Sequence, residues 1–340
     1  MATGNDRIKV FAPGRIAFAG GGTDLPAYAE KYGGAVFSAA ITLGARVEVS
    51  SLDIRLVSLV LDDFGLRADY AGIDELLADP RPEVALVGRT VAEVRPAGGV
   101  LVRVCTGLPP GSGLGISGAV GVAVVYALNR MAGRNPTPEE VAEAAAVIEI
   151  EKLGRPVGRQ DQYAAACGGL NVFGFDGHGA HRTPVNLPAA KLRNFESHFM
   201  LFFSGRRRDS AEVLADQRAR VLAGDRVTLE RLHRLRALAH EMGEAAAEGD
   251  WFGFGQSLHG AWLAKRGVSP NVADGRVAAV CKRVLDLGAW AMKVTSAGAG
   301  GFYLVMALPS ARGAVTSYLK SEGFEPYDFG FDAGGVRIVP

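Results

Sequence analysis

With 340 residues, 48% of them hydrophobic and 21% charged, the chain is long enough for about two domains of ordinary size, each with its own core. A formal net charge of +1 gives no reason to expect nucleic acid or an anionic membrane as partner. Cys105, Cys167 and Cys281 lack metal-ligand spacing, the N-terminus has no charged-then-apolar signal pattern, and no apolar run reaches the roughly 18 residues of a membrane span; buried free thiols and a cytoplasmic setting are expected.

Ile8 to Ala12 reads as a short strand, and the alternation from Ile16 to Phe18 predicts a second one beyond Pro13-Gly14-Arg15. Gly20, Gly21 and Gly22 then predict a tight loop that presents Thr23 and Asp24. A carboxylate beside a glycine turn can accept hydrogen bonds from substrate hydroxyls, and it can equally cap the helix expected over Leu25 to Tyr32. Ala35 to Ser51 predicts one or two strands. Ile54 to Leu61 and Val100 to Cys105 predict further strands, with a helix over Val84 to Val94 between them.

The stretch from Leu108 to Ala132 carries the strongest chemical signal. Pro109 and Pro110 close a strand, Gly111, Gly113 and Gly115 expose bare backbone, and a long apolar helix starts near Ser117. Such a loop points unpaired N–H groups, and about half a positive charge from the helix N-terminus, at its ligand; a phosphate chain is the natural one. A serine at the helix start adds a hydroxyl for the Mg2+ that accompanies a nucleotide. Gly113 to Gly118 also matches the dinucleotide pattern GxGxxG, but 106–112 separate the strand from its first glycine. A Walker loop is excluded because no Lys-Ser or Lys-Thr follows. A glycine-rich turn that merely packs a helix on a sheet is the remaining alternative.

Asn135 to Pro138 predicts a helix entry leading into Val141 to Leu153, with Glu149 and Glu151 near its end and Gly154-Arg155-Pro156 stopping it. Gln160 and Asp161 lie on the following loop, before an alanine-rich helix. One carboxylate on a helix end and another after a glycine are what a metal ligand and a general base would look like; mixed-charge surface residues look the same. After about Asn186 the composition shifts. A strand from Leu201 enters Arg206-Arg207-Arg208, helices with a charged face run from Ser210 to Glu248, and Trp251 to Lys265 and Val277 to Leu287 predict further helices. A second glycine-rich turn, Ala297 to Gly301, leads into the strand Phe302 to Met306 and can let backbone approach the first loop closely. Thr316 to Ser321 and Val336 to Val339 supply a last helix and strand.

Three stretches resemble, in order, the signature motifs of the GHMP kinases, a family that includes galactokinases, homoserine kinases and mevalonate kinases. They are Ala12 to Arg15 with its glycine loop, Pro109 to Gly115 with Ser117, and Ala297 to Gly301. Within the family, 18–41, 158–169 and 204–214 look most like the D-glycero-D-manno-heptose 7-phosphate kinases and related sugar 1-kinases. The resemblance implies an α+β, two-domain GHMP-kinase fold: a ribosomal-protein-S5-domain-2-like nucleotide domain over residues 1–190 and a ferredoxin-like domain over 191–340. It implies ATP and Mg2+ as cofactors, a small-molecule sugar phosphate as substrate, and transfer of a phosphoryl group to an anomeric hydroxyl. A homodimer is compatible with it.

Residue by residue, the resemblance gives Pro110, Gly111, Ser112, Gly113, Leu114, Gly115 and Ser117, with Gly298 and Gly300, to the nucleotide. It gives Ser117 and Glu149 to magnesium, Asp161 to the proton of the sugar hydroxyl, and Arg15 to a place beside Asp161. Gly22, Thr23, Asp24 and Gln160 would face the sugar. Arg208 would grip its phosphate, for which a guanidinium is suited. Two departures stand out: Gly115-Ile116-Ser117-Gly118 keeps one serine of the usual run, and Ser296 stands where glycine is more common. Three other readings stay open: a kinase for an unphosphorylated sugar such as fucose or mannose, a nucleotide-binding sugar sensor, and, more distantly, a nicotinamide enzyme.

Overall fold

The computed structural model describes residues 7–109, 111–206, 210–268, 275–295, 298 and 300–340. Its strands, in chain order, are β1 (Arg7–Ala19), β2 (Gly34–Leu52), β3 (Val57–Leu61), β4 (Leu66–Tyr70), β5 (Gly99–Cys105) and β6 (Leu170–Asp176). There follow β7 (Gly179–Pro184), β8 (Phe199–Phe203), β9 (Ala289–Val294), β10 (Phe302–Ala307), β11 (Glu325–Tyr327) and β12 (Arg337–Val339). One sheet runs β12-β1-β2-β5-β3-β4, with β6 and β7 attached along β2; the other runs β11-β8-β10-β9. The class is α+β, as expected. The chain returns to its start, because β12 pairs with β1 at Lys9–Val339 through Phe11–Arg337.

Two predicted strands are one. β1 continues through Pro13 because the register on β2 shifts between Pro13 and Gly14, which absorbs the missing N–H without ending the pairing. β2 is long because, besides β1, it serves two partners on its other edge, β6 along 34–39 and β5 along 46–52. The hairpin β6–β7 and the strands β4, β9 and β11 were not separable from their loops by periodicity.

The helix Ile116–Met131 is the centre of the first core; its alanine and valine side chains pack under the first sheet with Val47, Val102 and Phe173. A second core joins the two sheets. Phe18 of β1 lies 5.2 Å from Phe37 and 5.5 Å from Phe199 of β8, and 5.2 Å from Phe254 of the helix Trp251–Arg266. Phe18 is fully buried, and truncating such a side chain typically costs about 3–5 kcal/mol. This apolar contact fixes the loop that follows β1 against the second half of the chain.

The helix predicted over 141–153 ends earlier. Pro138–Val147 is α-helical and opens with a capping box, Thr137 accepting from Glu140 N and Glu140 returning a bond to Thr137 N. A π-turn then covers Ile148–Lys152, with Leu153 N donating to Ile148 O. Of the three cysteines only Cys281 is buried; Cys105 and Cys167 are half-buried, and all are free thiols. Among the described residues no helix is long and apolar enough to cross a membrane.

Candidate active site

The segments singled out in the sequence meet around one cavity of about 610 Å³ between the two sheets. Gly111, Gly113 and Gly115 all adopt positive φ, at 71°, 83° and 70°, which residues with a Cβ resist. Gly115 is the N-cap of the helix Ile116–Met131 and no side chain caps it, so the first-turn amides face the cavity lined by Gly111, Ser112, Gly113, Gly115 and Ser117. Ser112 is 2% exposed and its hydroxyl has no partner among the described residues. Leu114 is fully buried and contributes its carbonyl, which accepts from Arg15 N at 2.7 Å.

The second glycine turn packs behind this loop, as its composition suggested. Phe302 N donates to Ser112 O at 3.0 Å, and a Cβ on Gly301 would lie 2.6 Å from the same oxygen. The approach is made through Gly301; Gly298 and Gly300 do not line the cavity. Pro110, Arg207, Arg208, Ser296 and Ala297 lie outside the described residues.

Arg15 crosses from β1 to the site. Its Nε donates to Asp161 Oδ1 at 2.7 Å, and its Nη1 donates to Gly113 O at 2.8 Å, so one guanidinium ties the glycine loop to the carboxylate. Asp161 stands in the first turn of the helix Gln160–Cys167 with a quarter of its side chain exposed. That helix lies tight on the Ile116–Met131 helix: a Cβ on Gly118 would meet Asp161 Cβ at 2.7 Å. Glycine rather than serine or alanine at position 118 therefore has a packing reason.

Asp24 has a different environment. It is 2% exposed and accepts from Gly22 N at 2.9 Å, Gln160 N at 3.1 Å and Gln160 Nε2 at 3.0 Å. It does not cap the following helix, Pro26–Tyr32, whose cap is Leu25. Burial, followed by the Asp161 charge, raises its pKa above the ordinary carboxylate value. Gly22, Asp24 and Gln160 line the cavity, as expected. Thr23 does not. The glycine loop turns it towards β2, where its hydroxyl donates to Ala35 O and accepts from Ala35 N, both at 3.0 Å.

Glu149 sits on the π-turn, 2% exposed, and lines the same cavity as Ser117. Its Oε1 accepts from Arg155 Nη1 at 3.1 Å and its Oε2 from Gln162 Nε2 at 2.8 Å. Each oxygen keeps a lone pair. A metal that takes one carboxylate and one hydroxyl, and completes its shell with phosphate oxygens and water, fits this donor set; Mg2+ binds in that manner.

Two cavity residues were missed in the sequence. Lys265, in the last turn of Trp251–Arg266, donates to Gly21 O at 3.1 Å and to Gln217 Oε1 at 3.4 Å. Lys293, on β9, donates to Ala17 O at 2.6 Å and Phe18 O at 2.8 Å. Burial pushes Lys265 down to about 8 and Lys293 down to about 7. A signal existed for each: Lys265 follows Leu258, Ala261 and Trp262 on the buried stripe of its helix, and Lys293 interrupts an apolar run just before a glycine turn.

Residues 85–169 match the family described as GHMP kinases N terminal domain, a span that holds the glycine loop, its helix, Glu149 and Asp161. That span carries the family's N-terminal domain, and the two-sheet α+β fold is shared with the solved structures of a heptose 1-phosphate kinase and a mevalonate kinase. Particular relatives narrow the comparison. Over 97% of its length the chain is 28% identical to the D-glycero-alpha-D-manno-heptose 7-phosphate kinase of Campylobacter jejuni, of which it covers 98%. It is 25% identical to the L-fucokinase/L-fucose-1-P guanylyltransferase of Bacteroides fragilis over 93% of this chain and 36% of that longer one. The crystal structure of a D-glycero-D-manno-heptose 1-phosphate kinase from Bacteroides thetaiotaomicron shares the fold, with a TM-score of 0.79 over 98% of this chain and 99% of that one at 22% identity.

Proposed function

We propose that the protein transfers the γ-phosphoryl group of ATP to the anomeric hydroxyl of a sugar, and that the sugar is D-glycero-D-manno-heptose 7-phosphate, converted to the 1,7-bisphosphate. The observation that carries this reading is the convergence, in one cavity, of an uncapped helix N-terminus behind three left-handed glycines, the Arg15–Asp161 pair, and the buried carboxylate of Asp24. The first suits a phosphate chain, the second a proton acceptor held in place, and the third a hydroxyl-bearing acceptor. The end-to-end likeness to a heptose 7-phosphate kinase supports the choice of sugar.

In this mechanism the backbone from Gly111 to Gly115, with the Ser112 hydroxyl, holds the triphosphate. Asp161 takes the proton of the anomeric hydroxyl as its oxygen bonds to the γ-phosphorus; the bond to the bridging oxygen breaks and ADP leaves. Arg15 holds the Asp161 carboxylate in orientation, and carries positive charge to the place where the phosphoryl group passes. Ser117 and Glu149 would hold Mg2+, which would neutralise phosphate charge. Phosphoryl transfer needs chiefly position and charge stabilisation, which the Arg15–Asp161 pair supplies. Arg208 grips the 7-phosphate, and the two halves of the chain, 1–190 and 191–340, divide the work between nucleotide and acceptor.

The likeness to a fucokinase favours one second reading, a 1-kinase for an unphosphorylated sugar. Incubation with Mg2+, ATP and a panel of free and phosphorylated hexoses and heptoses, with ADP release followed and the product's position read by phosphorus NMR, separates the two. A 1-phosphate formed only from a 7-phosphorylated heptose supports the first reading, and equal turnover of free fucose or mannose supports the second. Charge reversal at Arg208 raises the Michaelis constant in the first case and leaves it unchanged in the second. ATP binding without turnover of any sugar overturns both.

A further inference from the structure

Lys265 is 8% exposed yet has no carboxylate within 4.0 Å among the described residues. A buried cation without an ion pair is costly, and its ammonium carries three N–H donors. Two are placed, on Gly21 O at 3.1 Å and on Gln217 Oε1 at 3.4 Å; neither bond is short. Gln217, fully buried on the helix Ser210–Leu222, is itself fixed by donating Nε2 to Gly22 O at 2.9 Å. The third donor of Lys265 has no protein acceptor among the described residues, and the residue lines the cavity.

Asp24 is its counterpart. An ionised carboxylate offers about four lone-pair sites. Three hydrogen bonds to Asp24 leave one site on a group that also lines the cavity. An unfilled donor and an unfilled acceptor, anchored to neighbouring residues of the same glycine loop, are the complement of a hydroxyl-bearing carbon chain, where each hydroxyl both gives and takes a hydrogen bond. We infer that Lys265 and Asp24 form a donor–acceptor pair that reads the hydroxyls of the acceptor sugar, with Lys265 a specificity-determining residue supplied by the second half of the chain.

The inference rests on the reading of the protein as a sugar kinase. It is tested with wild type, Lys265→Met and Lys265→Arg, assayed with D-glycero-D-manno-heptose 7-phosphate, D-mannose and L-fucose, and with singly deoxygenated forms of whichever is turned over. A lost hydrogen bond to a charged donor corresponds to about a ten- to hundredfold rise in the Michaelis constant for the sugar. That rise is expected in Lys265→Met with the constant for ATP unchanged, and partial recovery is expected in Lys265→Arg. One deoxygenated sugar should bind worse to wild type but no worse to Lys265→Met. Equal sugar constants in wild type and a folded Lys265→Met overturn the inference, as does a parallel rise for ATP and sugar that arginine does not rescue.

Should Lys265→Met fail to fold, wild type still decides. The charged groups around the ammonium are Asp24 from the loop after β1 and Lys293 from β9, with neutral Gln217 from the helix Ser210–Leu222. Loss of the ammonium proton above about pH 8 should raise the sugar constant more than the ATP constant; equal profiles to pH 9 overturn the pairing. No transfer to any sugar in wild type removes the functional reading itself, an outcome distinct from failure of Lys265 alone.

Discussion

The two ends of the cavity are built by different means. The proposed nucleotide end is mostly backbone: three glycines in left-handed conformation, a helix N-terminus and one buried serine, all within 111–117. The proposed acceptor end is mostly side chains that come from afar: Asp24, Gln160 and Lys265, drawn from a loop and two helices, with Gln217 of a third helix behind them. A backbone site is specified by local conformation and serves a ligand common to many enzymes. A side-chain site depends on how helices pack, and it is where one kinase can differ from another. The two carboxylates repeat the contrast, since Asp161 is partly exposed and ion-paired while Asp24 is buried, backbone-bonded and raised in pKa.

The sharpest way to break the comparison is at the point where the two ends meet. Asp161→Asn should lower turnover by about 10³-fold, within the range for a lost proton acceptor, while nucleotide binding and the melting temperature stay near wild type. Retained turnover would remove Asp161 from the chemistry. Next in size is Gly158→Ala. Its Cβ would stand 1.9 Å from Asp24 Oδ2, so Asp24 must move; the Michaelis constant for the sugar should rise about tenfold or more with that for ATP unaffected. A change in the ATP constant alone would show that Asp24 does not serve the acceptor.

Ser112→Ala probes the other end. Its hydroxyl has no partner among the described residues, so the substitution should leave the melting temperature unchanged or slightly higher, while the ATP constant rises a few-fold. Unaltered ATP binding would take Ser112 out of the phosphate site. The smallest effect concerns the two lysines. Their folded values, about 7 for Lys293 and about 8 for Lys265, lie below the ordinary 10.5. Between pH 7 and 8.5 the unfolded chain therefore binds more protons than the folded one, and stability rises with pH. Buried Cys281, raised to about 11, acts in the opposite sense only once unfolded thiols titrate near the top of that window. The rise in melting temperature from pH 7 to 8.5 should be smaller in Lys293→Met; an identical rise would mean that Lys293 does not titrate there.

Much of the nucleotide end was legible in the sequence because it is local. Glycines at alternate positions, followed by an apolar helix, state where φ is positive and where amides are left bare, whatever the rest of the chain does. The Asp24 and Thr23 readings show the limit. Both follow the same three glycines, yet one side chain enters the cavity and the other bonds β2, and only the path of the loop against Ala35 distinguishes them. Glu149 was found on its helix, but the π-turn that carries it left no mark in the apolar periodicity.

By itself, then, the sequence marked the glycine loop through the conformational preferences of a few neighbouring residues, and its resemblance to the GHMP kinases supplied the α+β class and the candidates Arg15, Glu149 and Asp161. Tertiary structure supplied the geometry of the Arg15–Asp161 hydrogen bond, which spans 146 positions, and it alone decided that Gly118 lets two helices close on them and that Lys265 enters the cavity with no carboxylate within ion-pair distance among the described residues. The physical reason is that a side chain's partners are set by which surfaces the burial of Phe18, Phe37, Phe199 and Phe254 brings together, and that is a property of the packed core as a whole.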